Sequence, residues 1–167
     1  MKRHASAAIA RTISVVLMLT LGSLLAAAPA QAADCAQPFN GRYTAFSDGN
    51  WASKYYSYRD EVSVTATWTV DTHCRDYLYC TGTVISDQGW TGPAVCKSGM
   101  WTITHYVPNW EPCPDGTAAT GQQKFTFFSQ TDPPQFRGWD RTLGPSGACG
   151  INKHLIIEMP FTLTKIE

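Results

Sequence analysis

Residues 61–70, EVSVTATWTV, alternate without a break between two chemistries. Val62, Val64, Ala66, Trp68 and Val70 fall on one side of an extended chain, and Glu61, Ser63, Thr65, Thr67 and Thr69 fall on the other. A period of two, carried largely by β-branched residues, describes a strand with one buried face and is incompatible with an amphipathic helix. The segment LIIEMPFTLTKI (155–166) repeats the pattern, with Leu155, Ile157, Met159, Phe161 and Leu163 sharing a face. Pro160 within it has no N–H to give to a ladder, which predicts an edge position or a bulge.

Further strands are expected at 42–47, 77–86, 101–107 and 124–129. Turn signals stand between them at Asp48-Gly49, Asp115-Gly116 and Pro133-Pro134. No segment beyond the N-terminal region has a 3.6-residue period, and NWASKYYSYRDE (50–61) has room for one helical turn. Short strands with frequent turns read as an all-β, antiparallel sandwich or small barrel. Trp68, Trp101, Phe125 and Phe161 are the expected core aromatics. The pentapeptides SDGNW (47–51) and SDQGW (86–90) echo one another but extend to no repeat, and they read as two similar turns.

The N-terminus has the form of a secretory signal peptide. Basic residues (Lys2, Arg3, Arg11) precede an apolar run that ends at Ala30-Gln31-Ala32. The run is shorter than the roughly 20 residues of a bilayer span. Residues 1–32 are therefore read as signal peptide and 33–167 as a single domain, with no stable transmembrane segment after cleavage. Asp34 rather than a small residue precedes Cys35, which argues against lipid attachment. All six cysteines (35, 74, 80, 96, 113 and 149) lie in the exported part, so three disulfides are expected. The expected pairing is Cys35–Cys74, Cys80–Cys96 and Cys113–Cys149. Zinc is disfavoured, because no C-x-x-C is present and the histidines are scattered.

Residues 33–167 carry 10 Lys+Arg against 13 Asp+Glu. That balance argues against a nucleic-acid partner and a polybasic membrane patch. No phosphate loop, dinucleotide fingerprint or G-x-S-x-G occurs, and no cofactor is implied. NWEPCPDGT (109–117) reads mainly as a rigid turn held by Cys113, with Pro112 and Pro114 restricting the backbone on both sides. Read instead as a cleft, it would gather Glu111, Asp115, Asp140 and Arg141, with His105 as a further candidate base. Paired carboxylates of that kind could hydrolyse a glycoside. His105 shares a face with Trp101, Ile103 and Val107, which fits a hydrogen-bonded core residue better.

Aromatic excess is the stronger signal. Twenty Trp, Tyr and Phe residues follow the signal segment, and several sit in or beside expected loops, where large rings favour recognition surfaces. Trp51, Tyr56, Trp90, Trp110 and Trp139 are the candidate contact residues. The partner is an envelope or extracellular ligand, whether glycan, lipid or protein.

The strings GRYTAFSDGNWA, CTGTVISDQGW, NWEPCPDGTAATGQQKF and DRTLGPSGACGINKHLIIEMPFTLTKI give the chain a resemblance to a group of small, functionally uncharacterised secreted proteins of mycobacteria and related actinobacteria. The resemblance implies secretion or residence in the cell envelope. It brings no substrate and no catalytic residues. The leading expectation is thus a non-enzymatic, secreted or cell-envelope binding protein acting through aromatic loops, and the alternative is a small hydrolase of envelope glycans using Glu111, Asp140 and His105.

Overall fold

The structure, a computed structural model, describes residues 35, 39–131 and 134–166. The signal-peptide boundary lies outside them. Ten antiparallel strands follow in chain order: β1 (Gly41–Ser47), β2 (Ser53–Lys54), β3 (Ser57–Tyr58), β4 (Val64–Asp76), β5 (Tyr79–Ser86), β6 (Thr91–Lys97), β7 (Met100–Pro112), β8 (Ala118–Thr131), β9 (Pro134–Leu143) and β10 (Ile156–Lys165). Eight of them run β1-β4-β5-β6-β7-β8-β9-β10, and β10 then pairs with β1 to close a barrel. The short β2–β3 hairpin continues the wall beside the lower part of β10. Of the two all-β architectures open to the sequence, the barrel is the one formed.

Alternation decides which way each residue points. Leu155, Ile157, Met159, Phe161 and Leu163 are all buried, as are Ala66, Trp68 and Val70. Val62 precedes β4 and is exposed, so the alternating run enters the wall later than its pattern suggests. The lumen is filled by rings. Phe39 lies within 5.5 Å of Tyr43, Trp101, Phe127 and Phe136, and Trp68 packs against Phe125 and Phe161. Burying rings of this size dominates the stability of a small domain.

Pro160 is at neither an edge nor a bulge. It pairs with Trp139 on one side. On the other, β10 passes from β1 (Phe161 to Lys165) to β2 (Ile157 and Glu158). In an antiparallel strand the N and O of one residue face the same neighbour. The Pro160 carbonyl accepts from the Asp48 amide at 2.9 Å, so its ring nitrogen faces this gap between β1 and β2, where no donor is missed.

Four strands lie outside the expected set: β2 and β3, in the segment read as a helical turn, and β6 and β9, where Gly92, Pro93 and Gly138 carry the chemistry of turns. The 50–61 segment supplies a single 3₁₀ turn, Gly49–Trp51, capped by the Asp48 side chain, and then the β2–β3 hairpin.

The disulfides are Cys35–Cys96, Cys74–Cys80 and Cys113–Cys149. Only the last matches the expected pairing. Cys74 and Cys80 face each other across the β4–β5 ladder. Cys80 also faces Cys96 across β5–β6, so strand register gives Cys80 two neighbours. Cys35 settles the choice: its amide donates to the Tyr77 carbonyl, which places it beneath the hairpins and beside Cys96.

Candidate functional site

The five candidate aromatics divide into two groups. Trp90 and Trp110 are structural. Trp90 stacks on the His105 ring at 3.9 Å between centroids and packs edge-on against Trp68. Trp110 packs against two small clusters, one of Ala52, Ile157 and Met159 and one of Cys113, Ala119 and Leu155. It also lies so close over Gly121 that a Cβ there would sit 2.8 Å from its ring. These two rings cover the lumen and are not available as a patch.

Trp51, Tyr56 and Trp139 are exposed, at 70%, 77% and 52%, and Tyr58 joins them at 67%. Trp51 lies edge-on to Tyr58 at 6.3 Å. The Tyr58 hydroxyl donates its one proton to Asp60 Oδ1 at 2.5 Å, with the Asn50 carbonyl a second acceptor within reach at 2.9 Å, and the Asp60 bond raises its pKa. Tyr55 and Tyr56 form the β2–β3 turn with φ of 54° and 63°. The turn is of the primed kind that asparagine and glycine normally supply. Tyr55 folds back under the Lys153 ammonium, 3.8 Å from its ring centroid, while Tyr56 projects outward.

Trp139 stands on the barrel wall rather than in a loop. Its neighbour Asp140 points inward, so alternation turns the indole outward. Register places Thr126 and Pro160 on either side of it. The adjoining outer row reads Lys124, Arg141, Glu158, Ser53 and Tyr58 across β8, β9, β10, β2 and β3. Directly opposed residues of an antiparallel pair share a face, so Tyr58 and Trp139 belong to one outer surface, three strands or roughly 15 Å apart at normal strand spacing. Trp139, Lys124, Thr126, Arg141 and Glu158 line a recess of about 200 Å³. Glu158 accepts from Arg141 in an ion pair. A larger groove of about 370 Å³ lies further along the same wall, between Tyr106, Gln122, Leu143, Pro145 and His154.

The hydrolytic constellation does not assemble. Asp140 is opposite Phe125 and Glu111 is opposite Ala119. Six residues of β8 separate those levels, or about 20 Å, whereas glycosidase carboxylates stand roughly 5–9.5 Å apart. Glu111 is held by Lys54 Nζ at 2.6 Å. Asp115 belongs to the Cys113 turn, where its Oδ1 accepts from the Thr117 amide and hydroxyl; those bonds hold its pKa below the usual carboxylate range. The Cys113 amide donates to the Thr117 carbonyl and Cys149 completes the staple, so NWEPCPDGT forms the end of β7 followed by a rigid turn.

Asp140 is nonetheless unusual. It is 1% exposed and accepts from Ser47 Oγ at 2.7 Å and from Gln123 Nε2 at 2.8 Å. No cation pairs with it among the described residues. Burial pushes its pKa up to about 6, against the smaller opposing pull of these hydrogen bonds. His105, across the ladder from Gln123, is also buried. Its Nδ1 lies 3.2 Å from the Tyr106 carbonyl, and Nε2 has no partner of hydrogen-bond geometry. Burial lowers its pKa, with the Tyr106 carbonyl and Gln123 working weakly the other way. These groups form a polar seam inside the barrel wall.

Sequence reasoning missed Lys124, Arg137 and Glu158. The signal that could have found them was the alternation Gln135, Arg137, Trp139, Arg141, hidden by Pro133-Pro134 before it and Gly138 within it.

Fold and staples together define a class: a closed, eight-stranded antiparallel barrel domain with three disulfides. The solved structure described as the monomer form of the M. tuberculosis PknI sensor domain has the same fold. It aligns at a TM-score of 0.55 and 12% identity, over 77% of this chain and 88% of that one. No family model and no curated protein matches the chain.

Proposed function

We propose that the chain is an extracellular binding domain whose ligand lies on the outer barrel wall, at Trp139 with Trp51, Tyr56 and Tyr58 as further contacts. The carrying observation is that Trp139 stands half-exposed in a polar-rimmed recess although the barrel needs no ring there. Large rings held on rigid strands lose little entropy on binding and dominate recognition surfaces. The three disulfides suit an oxidising compartment, and the structural neighbour, described as a sensor domain, supports a binding role on this scaffold.

Sedimentation of the oxidised protein with purified cell-envelope fragments tests the reading. Trp139→Ala and Trp51→Ala should each lower the bound fraction several-fold. Tyr77→Ala, which removes an exposed ring from the β4–β5 turn, should leave it unchanged. Equal binding by all variants, or equal loss in all three, overturns the proposal.

A further inference from the structure

The charge around Trp139 has no structural reason. Arg137 and Arg141 flank the indole two residues away on the same outer face of β9, each about 7 Å along the strand. Lys124 is directly opposite Arg141 on β8. Like charges directly opposed across a ladder are destabilising. Glu158 neutralises Arg141 alone. Among the described residues, Arg137 hydrogen-bonds to the neutral Gln135 side chain, by its Nε at 2.9 Å, and neither it nor Lys124 has an anionic partner. A face with two uncompensated cations therefore surrounds an exposed indole, on a domain whose 33–167 segment carries an excess of acidic residues.

We infer that the Trp139 recess binds an anionic saccharide, a sugar ring stacking on the indole while its carboxylate or phosphate is met by Lys124 and the free edge of Arg141, and the acidic group of a neighbouring sugar by Arg137 on the far side of the ring. This deepens, and rests on, the outer-wall reading above. A pyranose presents a flat face of C–H groups, the partner that the negative face of an indole favours. Thr126 and Glu158 beside the ring supply a hydroxyl and a carboxylate to which sugar hydroxyls can hydrogen-bond. The recess, about 200 Å³, has the scale of one such ring and equals the share of about seven waters. A lipid surface would instead need rings protruding at a tip, whereas Trp139 is set into a wall among polar groups. The charge complements an acid, and the shared chemistry is a negative group on a sugar, whichever acid carries it.

Titration calorimetry on the oxidised protein should use four probes: oligogalacturonate for carboxylate, phosphomannan for phosphate, a neutral galactan oligomer, and polyglutamate as an acidic peptide. At least one acidic saccharide should bind at least tenfold more tightly than both the neutral oligomer and polyglutamate. Trp139→Ala should abolish that binding. Lys124→Gln and Arg137→Gln should each weaken it three- to tenfold and flatten its salt dependence, with far-UV circular dichroism unchanged. Equal affinity for the neutral oligomer, or polyglutamate binding that survives Trp139→Ala, overturns the inference. If no saccharide binds while Trp139→Ala still lowers envelope sedimentation, this inference falls and the outer-wall reading stands. If Trp139→Ala changes neither, both fall.

Discussion

Replacing Asp140 by asparagine should make the protein more stable at neutral pH. The carboxyl sits inside the wall with two hydrogen-bonding neighbours and no counter-ion among the described residues. Its pKa rises from 3.8 to about 6 on folding. At roughly 1.4 kcal/mol per pH unit, that shift corresponds to about 3 kcal/mol of stability present below pH 4 and lost as the pH rises through 6, because the folded state holds the proton longer than the unfolded chain. Asparagine keeps an acceptor for Gln123 and carries no charge, so it escapes this loss. Urea unfolding with the disulfides intact, followed from pH 4 to 7.5, should show the two proteins nearly equal at pH 4. The variant should gain about 3 kcal/mol over the wild type by pH 7. His105, whose pKa burial lowers, acts in the opposite direction: its contribution is lost as the pH falls below the unfolded histidine range. It is present in both proteins and cancels in the difference. A difference that is flat across the series, or that favours the wild type increasingly as the pH rises, would refute the reasoning.

The staples should differ in weight. Replacing Cys113 and Cys149 by serine should cost about 4 kcal/mol in the chain-entropy relation, and replacing Cys74 and Cys80 about 2, read from chemical denaturation. Non-reducing peptide mapping should recover Cys35 joined to Cys96. Gly138→Ala should destabilise more than Gly121→Ala, because its Cβ would lie 2.0 Å from the Thr126 carbonyl oxygen, a backbone atom, whereas a Cβ at Gly121 would meet side chains alone, a Thr142 methyl at 2.5 Å and the Trp110 ring at 2.8 Å; melting temperatures compare them. Tyr56→Asn should raise stability by up to about 1 kcal/mol by relieving the left-handed turn, yet lower envelope binding. A variant that is more stable and binds equally well would show that this ring is not a contact.

Periodicity carried the fold as far as class. The alternating runs of β4 and β10 are legible because one face of each is buried and the other is wet. β6 and β9 were not legible, since Pro93, Gly92 and Gly138 carry the chemistry of turns, and the ladder that overrides it is made by distant residues. The cysteine pairing failed for a related reason. Loop length says nothing about register, and register puts Cys80 opposite both Cys74 and Cys96. At the site, exposure could not be told from aromatic identity. Trp90 and Trp139 stand in similar company in the sequence, but one stacks on His105 and the other faces solvent because Asp140 takes the inward position. The cations around Trp139 became a group only when β8, β9 and β10 were set side by side.

The seam between β1 and β10 joins the earliest strand of the barrel to its latest. A ribosome must therefore finish β10 before β1 can gain its second neighbour, and until then the nascent sheet has two open flanks able to recruit other chains. Completion of the barrel thus waits on β10, and removal of a few residues from that strand would expose such a flank permanently, producing an aggregation-prone ribbon in place of a smaller barrel.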